Sequence, residues 1–243
     1  MNKTILSILA IACMALFATG MILYPAQNNA APPTTEVASA SLPSSIIADE
    51  GLFERASSLL TGADHSTPFI RWETPILVQA TGTPSDDDLF VLQQQIVLLS
   101  SIKGLPPIKF VQQNGTMVFH FAPQQQLPAV DPLLSTEETH WGAFRLYYRA
   151  DSSEIVYASS VIASDGLSQM QRSHAIVQNM AKMLGVTHTT DESDSIFYAS
   201  FSNIQQLSQK DRDVIALLYS GVVRTGWSYA HLKEAVYPSN ENL

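Results

Sequence analysis

The chain contains the stretch Gln178-Asn179-Met180-Ala181-Lys182-Met183-Leu184-Gly185-Val186-Thr187-His188. Apolar residues before Gly185 recur with the spacing of one helix face, and glycine commonly follows the last turn of a helix. The pattern predicts a helix over about 168–184, the signature helix, and then a turn that brings His188 back toward it. Residues four apart form one stripe of this helix. They are His174, Gln178 and Lys182.

The spacing is that of a long zinc-binding motif of metallopeptidases, His-Glu-x-x-His-x-x-Gly-x-x-His. In that motif, a helix presents two histidines one turn apart and a glycine turn returns a third. Gly185 and His188 stand at the turn and third-ligand positions. The first-ligand, general-base and second-ligand positions hold Gln178, Asn179 and Lys182.

These three replacements remove the chemistry of a zinc hydrolase. Zinc ligands offer a lone pair from imidazole, thiolate or carboxylate, whereas Lys182 carries an ammonium group and Gln178 an amide. Asn179 cannot take a proton from a zinc-bound water as the motif's glutamate does. The sequence therefore predicts no catalytic residues, no bound metal and no cofactor here.

The alternative is an active metallohydrolase with a non-standard zinc site around His188. The replacement ligand would be His174 or an acid from the loop that follows His188, and His174 lies about 12 Å along the helix axis from Lys182. Both histidines could then meet one ion only if the turn at Gly185 were rebuilt.

The residues after His188 resemble the matrixin-like metzincins. Those proteins have a short acidic loop, a Ser/Ala-Leu-Met-Tyr turn, and a last helix that begins Leu-Ser-x-x-Asp and ends Leu-Tyr-Gly. The matching turn here is Ser195-Ile196-Phe197-Tyr198, and the matching helix lies within 207–221. Phe197 therefore stands in the position of the turn methionine.

Upstream features resemble a bacterial secreted family called domain of unknown function 2927, which is similar to the metzincins in its last third. The features are Arg71-Trp72, Pro75-Ile76, Leu105-Pro106-Pro107-Ile108, Asn114 and Trp141. The resemblance covers about 68–232. It implies an α+β, zincin-like (metzincin-like) domain, and a cleft that binds a peptide, a protein or an envelope component without cutting it.

Residue patterns in the body of the chain predict a mixed, mainly antiparallel sheet before the signature helix and a C-terminal helix after it. A strand begins at Pro75, and the capping serine Ser85 opens a helix that runs to Ile102. Asn114-Gly115 is a strong hairpin signal and predicts that the strands on either side of it pair. A second strand pair is predicted over 144–149 and 154–163.

Residues 1–25 have the pattern of an export signal. A short positive start, Met1-Asn2-Lys3, precedes a nearly uninterrupted apolar run to Tyr24, and about 20 apolar residues can span a bilayer. The run predicts a signal peptide or signal anchor, and Ala18-Thr19-Gly20 and Asn28-Asn29-Ala30 leave cleavage and retention both open. Either reading predicts an exported protein, periplasmic or anchored by this segment so that the domain faces the periplasm or exterior.

The remaining composition predicts a flexible linker with a possible short helix over 26–66 and a degenerate metzincin-like domain over 67–243. Cys13, the single cysteine, lies in the apolar run, so the exported domain can form no disulfide of its own. Lipidation of Cys13 is a second reading of that position. With 13 basic and 22 acidic residues, the chain is not expected to bind nucleic acid.

Overall fold

The computed structural model describes residues 17–24, 46, 49–134, 141–200 and 202–238. Six strands and six α-helices lie in these ranges, and they form a mixed α+β fold. In chain order they are β1 (Phe17–Tyr24), α1 (Glu50–Thr61), β2 (Ile76–Gly82), α2 (Asp86–Leu99), β3 (Ile108–Phe110), β4 (Met117–Ala122), α3 (Leu127–Val130), β5 (Gly142–Arg149), β6 (Ile155–Ala163), α4 (Gln169–Met183), α5 (Gln209–Leu218) and α6 (Tyr229–Val236).

The strands form one sheet in the order β1-β5-β6-β4-β2-β3. Four of the five neighbouring pairs are parallel, and the β5–β6 pair is antiparallel. The prediction of a mainly antiparallel sheet was therefore wrong. Helix α2 carries the chain from β2 to β3, and a helical crossover of this kind joins parallel strands.

The predicted hairpin at Asn114-Gly115 does not form. Asn114 has the positive φ of a turn residue, 58°, yet Val78 of β2 pairs with Phe110 on one side and with Met117 on the other. The strands before and after the turn are thus separated by β2. A turn signal is local and reports a change of direction, whereas the choice of neighbouring strand depends on the rest of the sheet.

Helix α1 packs into the main hydrophobic core, although its sequence lies within the predicted linker. Asp49 caps its first turn by accepting hydrogen bonds from the backbone of Gly51 and Leu52. Phe53 and Leu60 are fully buried beside residues of the sheet and of α4. The packed part of the chain therefore begins before residue 67.

The core lies mainly on the sheet face that α2 and α4 cover. Alternate residues of β4, β5 and β6 enter this core, among them Phe119, Phe144 and Ile162. The residues between them, such as Ala143 and Val161, form a smaller cluster with Leu127 of α3. This arrangement places α4 directly over β5 and β6.

The predicted export segment lies partly within the described residues. Phe17–Tyr24 form β1, which pairs in parallel with β5 over eight residues. Cys13 and the linker residues 26–45 lie outside the described ranges. Within the part of the chain that the structure describes, no helix is long and apolar enough to cross a membrane.

Candidate functional site

Helix α4 forms the floor of the candidate site, and local sequence determines where it begins. Ser168 accepts a hydrogen bond from the backbone N–H of Gln171, whose side chain accepts one from the backbone of Ser168. This reciprocal capping box satisfies two backbone donors at the helix start. The helix spans Gln169–Met183, in agreement with the predicted signature helix, and its residues from Ser173 onward are buried.

Gln178 and Asn179 are both buried, and each is held by a hydrogen bond within the protein. The Gln178 amide donates to the carbonyl of Ile196 at 2.7 Å, and the Asn179 amide donates to the Ser160 hydroxyl at 2.8 Å. Each side chain thus joins α4 to a neighbouring segment. The oxygens Gln178 Oε1 and Asn179 Oδ1 are buried without a hydrogen-bond partner among the described residues.

Lys182 is 3% exposed, which is rare for a lysine. Its Nζ lies 5.4 Å from the centroid of the Phe144 ring on β5, a distance at which the ring face attracts a cation. Burial lowers the pKa of Lys182 to about 8. The site therefore holds a poorly solvated amine where the zinc motif has its second histidine.

The two histidines of the predicted site lie on either side of Lys182 along the chain and are held differently. His174 is buried, and its Nδ1–H donates to the carbonyl of Ile204 at 2.6 Å. The half-buried His188 packs its ring against Gly62, and its backbone N–H donates to Leu59. Burial lowers the pKa of both imidazoles, and the charge of Lys182 lowers them further.

Gly185 makes the turn between α4 and His188. Its φ is 113°, a conformation that residues with a side chain rarely adopt. A Cβ at this position would lie 2.3 Å from the carbonyl oxygen of Ile70. The glycine is thus required both by the backbone conformation and by the close approach of another segment.

The turn Ser195-Ile196-Phe197-Tyr198 lies beneath α4 and is fixed by one buried carboxylate. Asp211 accepts hydrogen bonds from the Ser195 hydroxyl at 2.6 Å and from the backbone N–H of Ile196 at 3.2 Å. The same carboxylate accepts from the backbone of Ser208 and completes the capping box of α5. The family resemblance predicted a helix within 207–221, but it did not indicate that Asp211 also holds the turn.

Two aromatic residues anchor the end of α4, and sequence reasoning gave neither a role. Trp72 Nε1–H donates to the carbonyl of Met183 at 2.8 Å, and the Tyr219 hydroxyl donates to the carbonyl of Leu184 at 2.7 Å. Carbonyls at a helix end lack intrahelical partners, so these bonds satisfy groups that would otherwise be buried without one. The available signal was the family resemblance, which includes Trp72 and the stretch 207–221 in which Tyr219 lies.

The side chains present do not fit a zinc ion. The amide oxygen of Gln178 and the Nε2 of His188 have no hydrogen-bond partner among the described residues and could face a zinc ion, but the ion would also meet the amine of Lys182. His174 directs its Nδ1 to Ile204. Among the described residues, no group of three His, Cys, Asp or Glu side chains is placed to hold a metal.

Comparison with known proteins gives a family for most of the chain. The sequence comparison with curated proteins returned no match. A solved structure described as "Crystal structure of myroilysin" is similar at 12% identity and a TM-score of 0.41, over 61% of this chain and 85% of that chain. This likeness is weak and identifies neither a site nor an activity. The family model "Protein of unknown function (DUF2927)" matches residues 53–237, so the chain belongs to the DUF2927 family.

Proposed function

We propose that this protein is an exported, non-catalytic binding protein whose domain keeps the arrangement of a zincin-like peptidase but not its zinc chemistry. The proposal rests on the burial and the hydrogen bonds of the residues at the ligand and general-base positions, Gln178, Asn179 and Lys182. All three are buried, and both amides bond to other segments of the same domain. Side chains used in this way stabilise the fold, so they are not available as zinc ligands or as a general base.

The polar atoms left over at this site favour a ligand that offers hydrogen-bond donors. Gln178 Oε1 is a buried acceptor without a partner among the described residues, and His188 Nε2, which accepts when the ring proton is on Nδ1, is buried there without one as well. A buried acceptor in this condition destabilises the protein by about 1–3 kcal/mol. A bound group that presents N–H donors, as a polypeptide backbone does, would remove that penalty.

The edge of the sheet beside this site suggests how such a ligand binds. Strand β1 adds to the edge of β5 along all eight of its residues, and the Phe144 ring of β5 lies under the Lys182 amine. An exported form in which the N-terminal segment is held in the membrane, or is cleaved after Ala30, would leave that edge open, and cleavage after Gly20 would open the half that pairs with the first four residues of β1. We propose that an extended segment of a peptide or envelope protein then takes the place of β1 by strand addition.

The test compares the full chain with a chain that begins at Ala31, after both candidate cleavage positions. A fluorescent peptide with the sequence of residues 17–24, flanked by lysines for solubility, is titrated and followed by anisotropy. The shorter chain should bind it one to one, and the full chain at least about tenfold more weakly, because β1 competes at high effective concentration.

A matched control peptide carries proline in place of the two residues that correspond to Met21 and Ile22. Proline lacks the N–H that pairs with a strand, and two adjacent prolines disrupt pairing in either register. Equal binding of the two peptides would reject strand addition. Cleavage of either peptide by the protein with added zinc would reject the non-catalytic assignment.

A further inference from the structure

Helix α2 exposes apolar residues on the side that faces away from the core. Leu92, Ile96 and Leu99 are buried against the core. On the outer side, Phe90 is 60% exposed and Val97 is 70% exposed. A helix that is apolar on more than one side normally has a partner on each of them, so this outer side indicates a binding surface.

The outer side of α2 forms one wall of a groove with a volume of about 620 Å³. The other wall consists of Ser173 of α4 and the neighbouring segment Gln205-Gln206. Along α2 the groove extends at least from Phe90 to Leu98. Eight residues of helix rise about 12 Å, which is the length of about four residues of extended polypeptide.

One wall atom lacks the hydrogen bond that its burial requires. Gln95 is 6% exposed and lines the groove, and its Oε1 has no hydrogen-bond partner among the described residues. A buried amide oxygen needs a donor, and an unmet one destabilises the protein. A ligand with an N–H group at this point would supply the donor.

The charges near the groove indicate which end of a ligand is basic. The described residues that line it are all uncharged, and they include the amides of Gln94, Gln205 and Gln206. Asp86 and Asp87 are exposed on the first turn of α2, one turn before Phe90. The N-terminus of a helix carries a partial positive charge of about half a unit. The two carboxylates outweigh it, so this end of the groove is negatively charged.

We propose that this groove is a second binding site, which takes an uncharged, apolar segment of about four residues from a partner protein, with a basic residue at the Asp86 end. A backbone N–H of the segment donates to Gln95 Oε1, and its apolar side chains cover Phe90 and Val97. The site is separate from the strand edge of β5 and does not depend on the function proposed above.

The probes for the test are bead libraries of pentapeptides with four positions randomised over Ala, Leu, Val, Phe and Gln. The fifth residue, at either end, is Lys in one set and Glu in the other. Fluorescently labelled full chain in mild detergent should be retained at least about fivefold more often by the Lys beads. The best Lys peptide is then resynthesised, and its Kd is measured.

Three variants test the named residues. Phe90→Gln/Val97→Gln should weaken the Kd at least about tenfold, because the apolar contact is lost while helix propensity is kept. Gln95→Leu should weaken the Kd about fivefold and leave the melting temperature equal or higher, because it removes an unsatisfied buried oxygen. Leu133→Gln is the matched control, since Leu133 is 66% exposed and lies outside the groove, and its Kd should equal that of the parent.

Three results would overturn the proposal. The first is a Kd that the double variant changes no more than Leu133→Gln does. The second is equal retention of the protein by the Lys and Glu beads. The third is a parent chain that sediments as a dimer and becomes a monomer in the double variant. The groove would then be an interface between copies of this chain.

Discussion

The hydroxyl of Tyr219 donates a hydrogen bond to the carbonyl of Leu184, the residue that caps the end of α4, and accepts one from the backbone N–H of Trp72. Tyr219 is fully buried, and burial raises the pKa of its phenol above the ordinary value. One neutral hydroxyl thus joins three segments of the chain at the point where the signature helix turns toward His188.

Tyr219→Phe should therefore destabilise the domain more than the loss of one exposed hydrogen bond would. The variant leaves a buried N–H and a buried carbonyl unsatisfied, and each costs about 1–3 kcal/mol. Urea unfolding measures the change. Tyr148→Phe is the control, since the Tyr148 hydroxyl makes no hydrogen bond within the described residues, and it should change stability by less than about 0.5 kcal/mol. Equal stabilities of the two variants would contradict the anchoring role of Tyr219.

Alanine substitutions at Gly185 and Gly226 distinguish the cost of backbone strain from the cost of steric overlap. Both have a positive φ, but a Cβ at Gly226 would meet its nearest atom at 3.6 Å, whereas one at Gly185 would lie 2.3 Å from Ile70 O. Gly226→Ala should cost about 1–2 kcal/mol from conformation alone. Gly185→Ala should cost clearly more, and Gly185→Val more still. Thermal melts in which Gly185→Ala matches Gly226→Ala would contradict the close packing of this turn against Ile70.

The free energy of unfolding should increase as the pH rises, because the buried Lys182 loses its charge in the folded state. Its folded pKa is about 8, and the pKa of an unfolded lysine is about 10.4. Between these values the unfolded chain binds more protons, so the free energy of unfolding increases with pH; below pH 8 the full penalty of the buried charge remains. The neighbouring His174 and His188 do not titrate in this window, because burial and the Lys182 charge hold their pKa values below the ordinary one.

Lys182→Met should remove this rise and raise stability at pH 7 by up to about 3 kcal/mol, the equivalent of the pKa difference. Urea unfolding of parent and variant at pH 7, 8, 9 and 10 measures both effects. Lys109→Met removes an exposed charge on β3 and is the control. A parent whose stability changes with pH as the Lys182→Met variant does would show that this amine is well solvated.

Ser195→Ala should loosen the turn after the motif. The Ser195 hydroxyl donates to the buried carboxylate of Asp211, and hydrogen bonds to charged groups contribute about 1.5–3 kcal/mol. The exposed neighbour Ser193 offers the matched substitution Ser193→Ala, which should be nearly neutral. Hydrogen exchange at the amides of 195–198 should quicken in the first variant. Unchanged exchange there would mean that Asp211 does not fix the turn.

Local features of the fold could be predicted from the sequence, whereas strand partners could not. The bounds of α4 follow from the capping pair Ser168 and Gln171 and from Gly185, all within a few residues of the ends they determine. The strands β3 and β4 both run parallel to β2, and they differ in which of its two edges each one joins. That choice is made by packing across the sheet, and Asn114-Gly115 carries no information about it.

In the candidate site, too, the identities of the residues could be predicted from the sequence, whereas their partners in space could not. The sequence indicates that Gln178, Asn179 and Lys182 cannot form the zinc site. It does not indicate that Ile196 and Ser160 receive the two amides, because those partners are 18 and 19 residues away in sequence. The groove along α2 was also missed, because the sequence pattern predicted only that a helix begins at Ser85, whereas the exposure of Phe90 and Val97 depends on which segments pack against that helix.

The most direct test of the account is the zinc content of the purified full chain after incubation with zinc and dialysis, measured by inductively coupled plasma mass spectrometry. Gln178→His/Lys182→His is the comparison variant, because with His188 it restores three imidazoles at the spacing of the motif. We expect less than about 0.1 zinc per parent chain and about one per chain of the double variant. One zinc per parent chain, lost in His188→Ala, would contradict it.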